Sequence, residues 1–200
     1  MNGRLVQDYY SFKTWLKHVV GESRKQSTFF IGIDGCGGSG KSTFAQKLKD
    51  DFCDVTIVHM DDFYVTTSLI SNLEPAKKSI GADFDWRRLL KEVLNPLSKE
   101  VAGYYQRYDW KTDKLAEWHH VPVGGIVVIE GVYTLRKELE DLYDVKVWID
   151  CPRETRLARG IERDGEDAQT IWENNWMMLE DMYVKAHQPV NRADFIIRGY

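Results

Sequence analysis

The sequence predicts an α/β fold: one domain built on a doubly wound, five-stranded parallel sheet with helices on both faces. Three observations carry that prediction. Five short apolar runs alternate with segments of helical spacing. The runs are continuously apolar rather than alternating, as strands covered on both faces must be. One of them leads directly into a glycine-rich loop and then into a helical pattern, the order of a strand–loop–helix phosphate motif.

Taken along the chain, Leu5, Tyr9, Phe12, Leu16 and Val19 recur at helical spacing, so segment 1–27 is expected to hold an N-terminal helix packed on the outside. Thr28 to Ile33 is the first buried strand, bounded by Ser27 and by the glycines beyond Asp34. Ser42 to Asp50 follows as a helix with Phe44, Ala45 and Leu48 on one face. Val55 to His59 is the second strand and delivers Met60-Asp61-Asp62-Phe63-Tyr64. Val65 to Asp83 has no clear period and reads as a mobile substrate loop. Helical spacing returns in Trp86 to Leu94, and Asn95-Pro96 is expected to kink or end that helix. Val101 to Trp110 and Leu115 to Val121 flank the turn-rich Lys111-Thr112-Asp113-Lys114, predicting a small β-hairpin insertion within 100–122. Ile126 to Ile129, Val145 to Ile149 and Asp194 to Ile197 supply the remaining strands. Helices are expected over Arg153 to Arg163 and Ala168 to Lys185.

Composition narrows the class. The chain has 200 residues, 43% of them hydrophobic, enough for one substantial core. Lys and Arg number 27 against 31 Asp and Glu, a net charge of −4, and no basic run forms a stripe for a nucleic acid polymer. A protein that handles small phosphates needs only a few cations focused in one cleft. Cys36, Cys53 and Cys151 are widely spaced and odd in number, which suits neither a disulfide framework nor a metal cluster. Arg4, Asp8, Lys13 and Lys17 interrupt the first apolar residues, and the apolar runs are far shorter than the roughly 20 residues that span a bilayer. No membrane segment and a cytoplasmic location are therefore expected. Periodicity cannot assign an apolar face to a partner or to the core, so the oligomeric state is left open.

The chemistry is concentrated in a few places. Gly35-Cys36-Gly37-Gly38-Ser39-Gly40-Lys41-Ser42 matches the phosphate-cradling P-loop at every specified position. Its glycines let backbone N–H groups converge on phosphate oxygens at the positive end of the following helix. Lys41 adds a full charge at the β- and γ-phosphates, and Ser42 offers a hydroxyl to Mg²⁺. Gly35, Gly37, Gly38, Ser39, Gly40, Lys41, Ser42 and Thr43 are thus candidate contacts for ATP or GTP. Asp61 and Asp62 lie just past a strand, at the carboxyl edge where open α/β sheets bind ligands, and a carboxylate there can take the proton of an attacking hydroxyl. Glu130 closes another strand at the same edge and is a candidate for the magnesium shell, whereas Asp150 reads as structural. Arg156, Arg159 and Arg163 fall at i, i+3 and i+7, placing three guanidinium groups on one helical face that could close over transferring phosphates, with Arg159 and Arg163 preferred. Solvated charge paired with Glu154, Glu162 and Asp164 is the plainer alternative. In the hairpin, Tyr104, Gln106, Tyr108 and Trp110 alternate with Tyr105, Arg107 and Asp109, an aromatic face that could stack a base or fill a core. Cys36 has no chemical role in the loop, but its alkylation should be slowed by bound ATP.

The order of these motifs resembles the uridine kinase and phosphoribulokinase family of P-loop small-molecule kinases. The resemblance covers nearly the whole chain after residue 27 and is carried by the P-loop, Asp61-Asp62-Phe63-Tyr64, Phe84-Asp85 and Tyr108-Asp109-Trp110. Val128-Ile129-Glu130-Gly131, Thr155-Arg156-Leu157 through Arg163-Asp164, and the closing Ala193-Asp194-Phe195-Ile196-Ile197 complete it. The resemblance implies a P-loop NTPase fold of the nucleoside and nucleotide kinase type, Asp61 as base toward the acceptor hydroxyl, and metal near Ser42 and Glu130. It further implies Tyr64 in the acceptor pocket, Asp85 at a ribose, Tyr108 at the acceptor base, and Arg156, Arg159 and Arg163 at substrate and phosphates. The block around Phe84-Asp85 is shorter than usual in the family, and no histidine follows Tyr108 directly.

The expected function is transfer of the ATP γ-phosphate, with Mg²⁺, to a hydroxyl of a uridine- or cytidine-like nucleoside or similar small metabolite. The rival is a nucleotide-binding regulatory or switch-type NTPase without an acceptor. The chain has no Asn-Lys-x-Asp guanine-reading segment, and it devotes residues 61 to 121 to what reads as an acceptor pocket.

Overall fold

The structure is a computed structural model that describes residues 6–22, 28–70 and 77–199. Its elements are β1 (Val6–Gln7), α1 (Tyr9–Glu22), β2 (Thr28–Asp34), α2 (Lys41–Asp51) and β3 (Val55–His59), which leads into a 3-10 turn (Met60–Phe63). Next come α3 (Trp86–Leu89), a π-helical stretch (Leu90–Leu94), α4 (Asn95–Leu97), β4 (Gly103–Asp109), β5 (Lys114–Val121), β6 (Gly125–Glu130) and β7 (Val145–Asp150). The chain ends with α5 (Arg153–Asp164), α6 (Gln169–Ile171), a second π-helical stretch (Trp172–Trp176), α7 (Met177–His187), α8 (Pro189–Arg192) and β8 (Phe195–Arg198).

One parallel sheet runs in the order β1-β8-β7-β2-β6-β3. The five expected strands are all present, and the two-residue β1 extends the sheet at one edge beside β8. β2 lies inside the sheet, hydrogen-bonded to β6 and β7, and both of its faces are covered, which is why Thr28–Asp34 reads as a continuous apolar run. Phe12 and Leu16 of α1 and Phe44 and Leu48 of α2 pack with Ile31 and Ile33 on one face. Phe30, Val58, Val127 and Ile129 meet Leu89, Val93, Leu135 and Tyr183 on the other. Gly32 is needed at the center of β2, because a Cβ there would sit 2.8 Å from the Tyr143 ring.

Several local expectations are corrected. The first helix starts at Tyr9, where Asp8 accepts the Ser11 N–H at 2.8 Å in the manner of an N-cap, and Leu5 lies outside the described residues. Asn95-Pro96 closes its helix one residue late, at Leu97. The chain widens into the π-helical stretch ahead of Pro96, and Pro96 then falls in the first turn of α4, where its missing N–H costs little. The hairpin forms with antiparallel β4 and β5, but a register shift between Gln106 and Tyr108 breaks the simple alternation. Tyr105 and Tyr108 are therefore both buried while Tyr104 is exposed, so Tyr104 and Tyr108 do not share one aromatic face. Part of the loop after Tyr64, residues 71–76, lies outside the described residues.

Candidate active site

The phosphate loop joins the carboxyl end of β2 to α2. Gly38 and Gly40 take φ of +73° and +96°, and a Cβ on Gly38 would approach the Arg156 carbonyl oxygen to 2.6 Å, so glycine is required there. Gly40 stands at the N-cap of α2 without a side-chain cap, and the first turn holds no acid. The amide donors of that turn are thus left facing outward, the arrangement that binds an anion. Lys41 is buried and donates from Nζ to the Cys36 carbonyl at 3.1 Å. Gly37, Gly38, Gly40, Lys41, Ser42 and Thr43 line one cleft of about 910 Å³. Gly35 and Ser39 lie beneath the loop, Gly35 against the Ile149 backbone and Ser39 fully buried.

Opposite the loop stand the strand-end acids. Asp61 opens into the cleft and among the described residues its carboxylate accepts no hydrogen bond, whereas Asp62 is buried and its carboxylate accepts from the Tyr105 hydroxyl at 2.8 Å. The walls of the cleft desolvate Asp61 and Glu130 adds a like charge, so its carboxyl titrates above the usual range although Lys41 and His59 oppose the shift. Glu130 closes β6 almost fully buried; its Oε1 accepts from Ser42 Oγ at 3.1 Å and faces His59 Nδ1 at 2.5 Å. Burial alone would raise the Glu130 pKa, but the His59 hydrogen bond, Lys41 and Ser42 outweigh it and hold it low, while the bond to Glu130 raises that of His59.

The three arginines of α5 separate. Arg159 and Arg163 line the cleft, and Arg159 Nη1 donates to the Gly38 carbonyl at 3.2 Å. Arg163 is two-thirds exposed and paired with Asp164 at 2.7 Å. Arg156 is instead buried, paired with Glu180 at 3.0 Å, and does not line the cleft. The one-face expectation fails because α7 packs against α5 and supplies a buried carboxylate. Glu180 also accepts the Gly37 N–H at 2.7 Å, and Trp172 rests on Gly37 and Gly160, where added Cβ atoms would collide with its ring.

The far end of the cleft is aromatic. Tyr64 lies 4.3 Å from Trp110 and 5.1 Å from Phe84 between ring centroids, and all three line it. Tyr108 supports Tyr64 from behind at 5.4 Å, with its hydroxyl donating to Asp113, and it is not on the cleft wall. Asp85 is not there either, since it caps α3 by accepting the Arg88 N–H at 3.0 Å. The acid at that end is Asp83, 3.3 Å from Lys78, and both line the cleft. Tyr133 lines it as well with φ +72°, a conformation that costs a bulky residue roughly 1–3 kcal/mol.

Comparison with known proteins shows the family. The family model described as phosphoribulokinase / uridine kinase matches residues 30–199. The chain belongs to this family. It is 30% identical over 177 residues to a uridine kinase of Brevibacillus brevis, covering 84% of this chain and 83% of that one, and 30% identical over 178 residues to a uridine kinase of Clostridium novyi, covering 84% and 85%. A solved structure described as a possible uridine kinase from Bacillus stearothermophilus superposes with a TM-score of 0.72 at 25% identity, covering 94% of this chain and 98% of that one. A putative fructose transport system kinase from Silicibacter shares the fold, with a TM-score of 0.71 at 19% identity, covering 96% and 98%.

As a member of this kinase family the chain is a small-molecule kinase, working on a nucleotide and a hydroxyl acceptor. No helix among the described residues is long and apolar enough to cross a membrane. The Ser42 hydroxyl and the Glu130 carboxylate are hard oxygen donors within 3.1 Å of each other, beside the amides at the start of α2, a donor set that would suit a divalent ion. Sequence reasoning missed Asp83, Lys78, Tyr133, Trp172, Glu180 and His59. Asp83 stands two residues before the acid chosen in its place and lines the cleft, and His59 stands two before Asp61 and touches Glu130; spacing in the sequence shows neither placement.

Proposed function

We propose that this chain moves the γ-phosphate of ATP onto a hydroxyl of a uridine- or cytidine-like nucleoside, with Asp61 as the base and Mg²⁺ held at Ser42 and Glu130. The observation that carries this reading is Asp61 itself. Of two adjacent aspartates, Asp62 is committed to Tyr105, while Asp61 faces the phosphate loop across the cleft with no protein donor on it among the described residues. A carboxylate with a raised pKa is a stronger proton acceptor than an ordinary one, as an attacking hydroxyl requires.

In this reading the acceptor hydroxyl lies between Asp61 and the γ-phosphate and loses its proton to Asp61 as the phosphoryl group transfers. Lys41, Arg159 and the loop amides face the phosphate oxygens, where negative charge gathers. The bound Mg²⁺ would supply charge neutralization between the phosphates. Tyr64, Phe84 and Trp110 offer flat apolar surface to a base, and Asp83 offers an acceptor for sugar hydroxyls, which supports a nucleoside. A cleft of about 910 Å³ lies near the top of the range for ligand sites and has room for two ligands together.

The test is ADP release over a panel of uridine, cytidine, pantothenate, sugar phosphates and nicotinamide riboside. Pyrimidine nucleosides should stimulate release, Lys41→Ala should silence it, and Asp61→Asn should lower kcat roughly a hundred- to ten-thousand-fold. Full turnover in Asp61→Asn would remove the base assignment. No acceptor-dependent release with any compound would favor the nucleotide switch.

A further inference from the structure

His59 is not part of the phosphate loop, the aromatic end of the cleft or the arginine helix, yet it touches the acid around which the cleft is organized. His59 closes β3 and Glu130 closes β6, and the two are register partners in adjacent parallel strands. Paired residues of neighboring strands direct their side chains to the same face of a sheet. His59 Nδ1 accordingly reaches Glu130 Oε1 at 2.5 Å, and the same oxygen accepts from Ser42 Oγ at 3.1 Å. Two donors on one oxygen fix the plane of the carboxylate. Oε2 has no hydrogen bond among the described residues. The glutamate is almost fully buried, but the His59 side chain is 47% exposed, so the contact is made by a residue that the core does not need.

We propose that His59 is a positioning residue for the divalent ion: by donating Nδ1–H to Glu130 it holds the carboxylate in the orientation that serves the metal. The inference rests on the reading above in which Ser42 and Glu130 hold that ion. A hydrogen-bond donor behind a metal-ligating carboxylate restricts its rotation before the ion arrives, so less orientational freedom is lost on binding. The sequence supplies the donor economically, because the register of two strands carries it and no loop has to be ordered. Lys41 also faces Glu130, but it belongs to the phosphate loop, whereas His59 contacts the acid from the neighboring strand.

The test is Mn²⁺ binding followed by electron paramagnetic resonance, at saturating β,γ-imido-ATP, for the intact wild-type chain and the variants His59→Ala, His59→Asn and Glu130→Gln. Removal of an outer-shell partner lowers metal affinity on the order of 10- to 100-fold, and that loss is expected for His59→Ala. Asparagine carries its amide nitrogen close to the position of Nδ1 and should restore binding to within about threefold of wild type. A merely structural role for His59 would not separate Asn from Ala in this way. Wild-type affinity in His59→Ala together with weakened binding in Glu130→Gln would overturn the role of His59 and leave the metal reading standing. Equal losses in Ala and Asn would overturn donation from Nδ1. Unchanged binding in Glu130→Gln would overturn the metal reading and the inference with it.

Discussion

Asp34 is the last residue of β2 and the step into the phosphate loop, and its burial makes a pH-dependent prediction. It is fully buried, accepts the Gly35 N–H at 2.6 Å on Oδ1, and accepts Leu135 N–H at 2.7 Å and the Tyr183 hydroxyl at 2.5 Å on Oδ2. Desolvation outweighs these donors and Lys41, and its pKa is raised from 3.8 to about 6. The folded state therefore binds this proton more tightly than the unfolded state. The stability it contributes is fully present below about pH 4 and is lost as pH rises through about 6. A shift of about two units corresponds to roughly 3 kcal/mol. Asp34→Asn removes the titration and also one acceptor, the latter a pH-independent cost of about 1–3 kcal/mol. The stability of the variant minus that of wild type should thus climb by roughly 3 kcal/mol between pH 4 and pH 6.5 and then level off. Urea unfolding of both proteins at half-unit pH steps measures that difference directly. A flat difference, or one that falls as pH rises, would refute the argument that desolvation dominates at Asp34.

Three further outcomes follow from the same geometry. Asp83→Ala should raise the acceptor KM about tenfold or more with the nucleotide KM unchanged, while Asp85→Ala should leave both unchanged and cost about 1 kcal/mol of stability through the lost helix cap; steady-state kinetics and thermal unfolding separate the two. Arg156→Met should destabilize by about 3–5 kcal/mol, because it leaves Glu180 buried without its cation, and adding Glu180→Leu should recover most of that loss in denaturant unfolding. Maleimide labeling of the native protein should modify exposed Cys53 and spare Cys36 with or without ATP, since Cys36 is buried and its thiol is pushed up to about 12. Peptide mass mapping reads the result, and modification of Cys36 at neutral pH would contradict its placement.

The placement of Cys36 shows where sequence reading succeeded and where it stopped. The P-loop was legible because its function needs glycine at positions of positive φ and a strand and helix on either side, and all of these are local. The buried strands were legible because parallel strands covered on both faces need continuous apolar runs. That Cys36 would be sealed in one cluster with Trp148 and Tyr133 was not legible, since those residues lie 112 and 97 positions away. The same limit separates Asp83 from Asp85 and Arg156 from Arg159. Helical spacing put three arginines on one stripe, and only the approach of α7 with Glu180 decided which of them would be buried. The β-bulge at Gln106 to Tyr108 likewise rotated one tyrosine inward against a pattern of strict alternation.

The split of the arginine stripe bears on how the proposed transfer is prepared. Arg156 presses its own carbonyl against Gly38, and Glu180 ties Arg156 to the Gly37 amide, so α5, α7 and the phosphate loop meet in one buried contact. Arg159, one turn further along α5, donates to the Gly38 carbonyl. That bond holds its charge beside the phosphate loop, and a preorganized donor costs no reorganization during reaction. Arg163 is different, being solvent-exposed and held by Asp164. Giving up a surface pair of that kind costs about 0–1 kcal/mol, far less than a charge-assisted bond to phosphate returns in a cleft sheltered from water. The helix therefore presents one fixed arginine and one that is free to exchange partners. In the proposed transfer, Arg163 is therefore the guanidinium that would change partner, from Asp164 to phosphate.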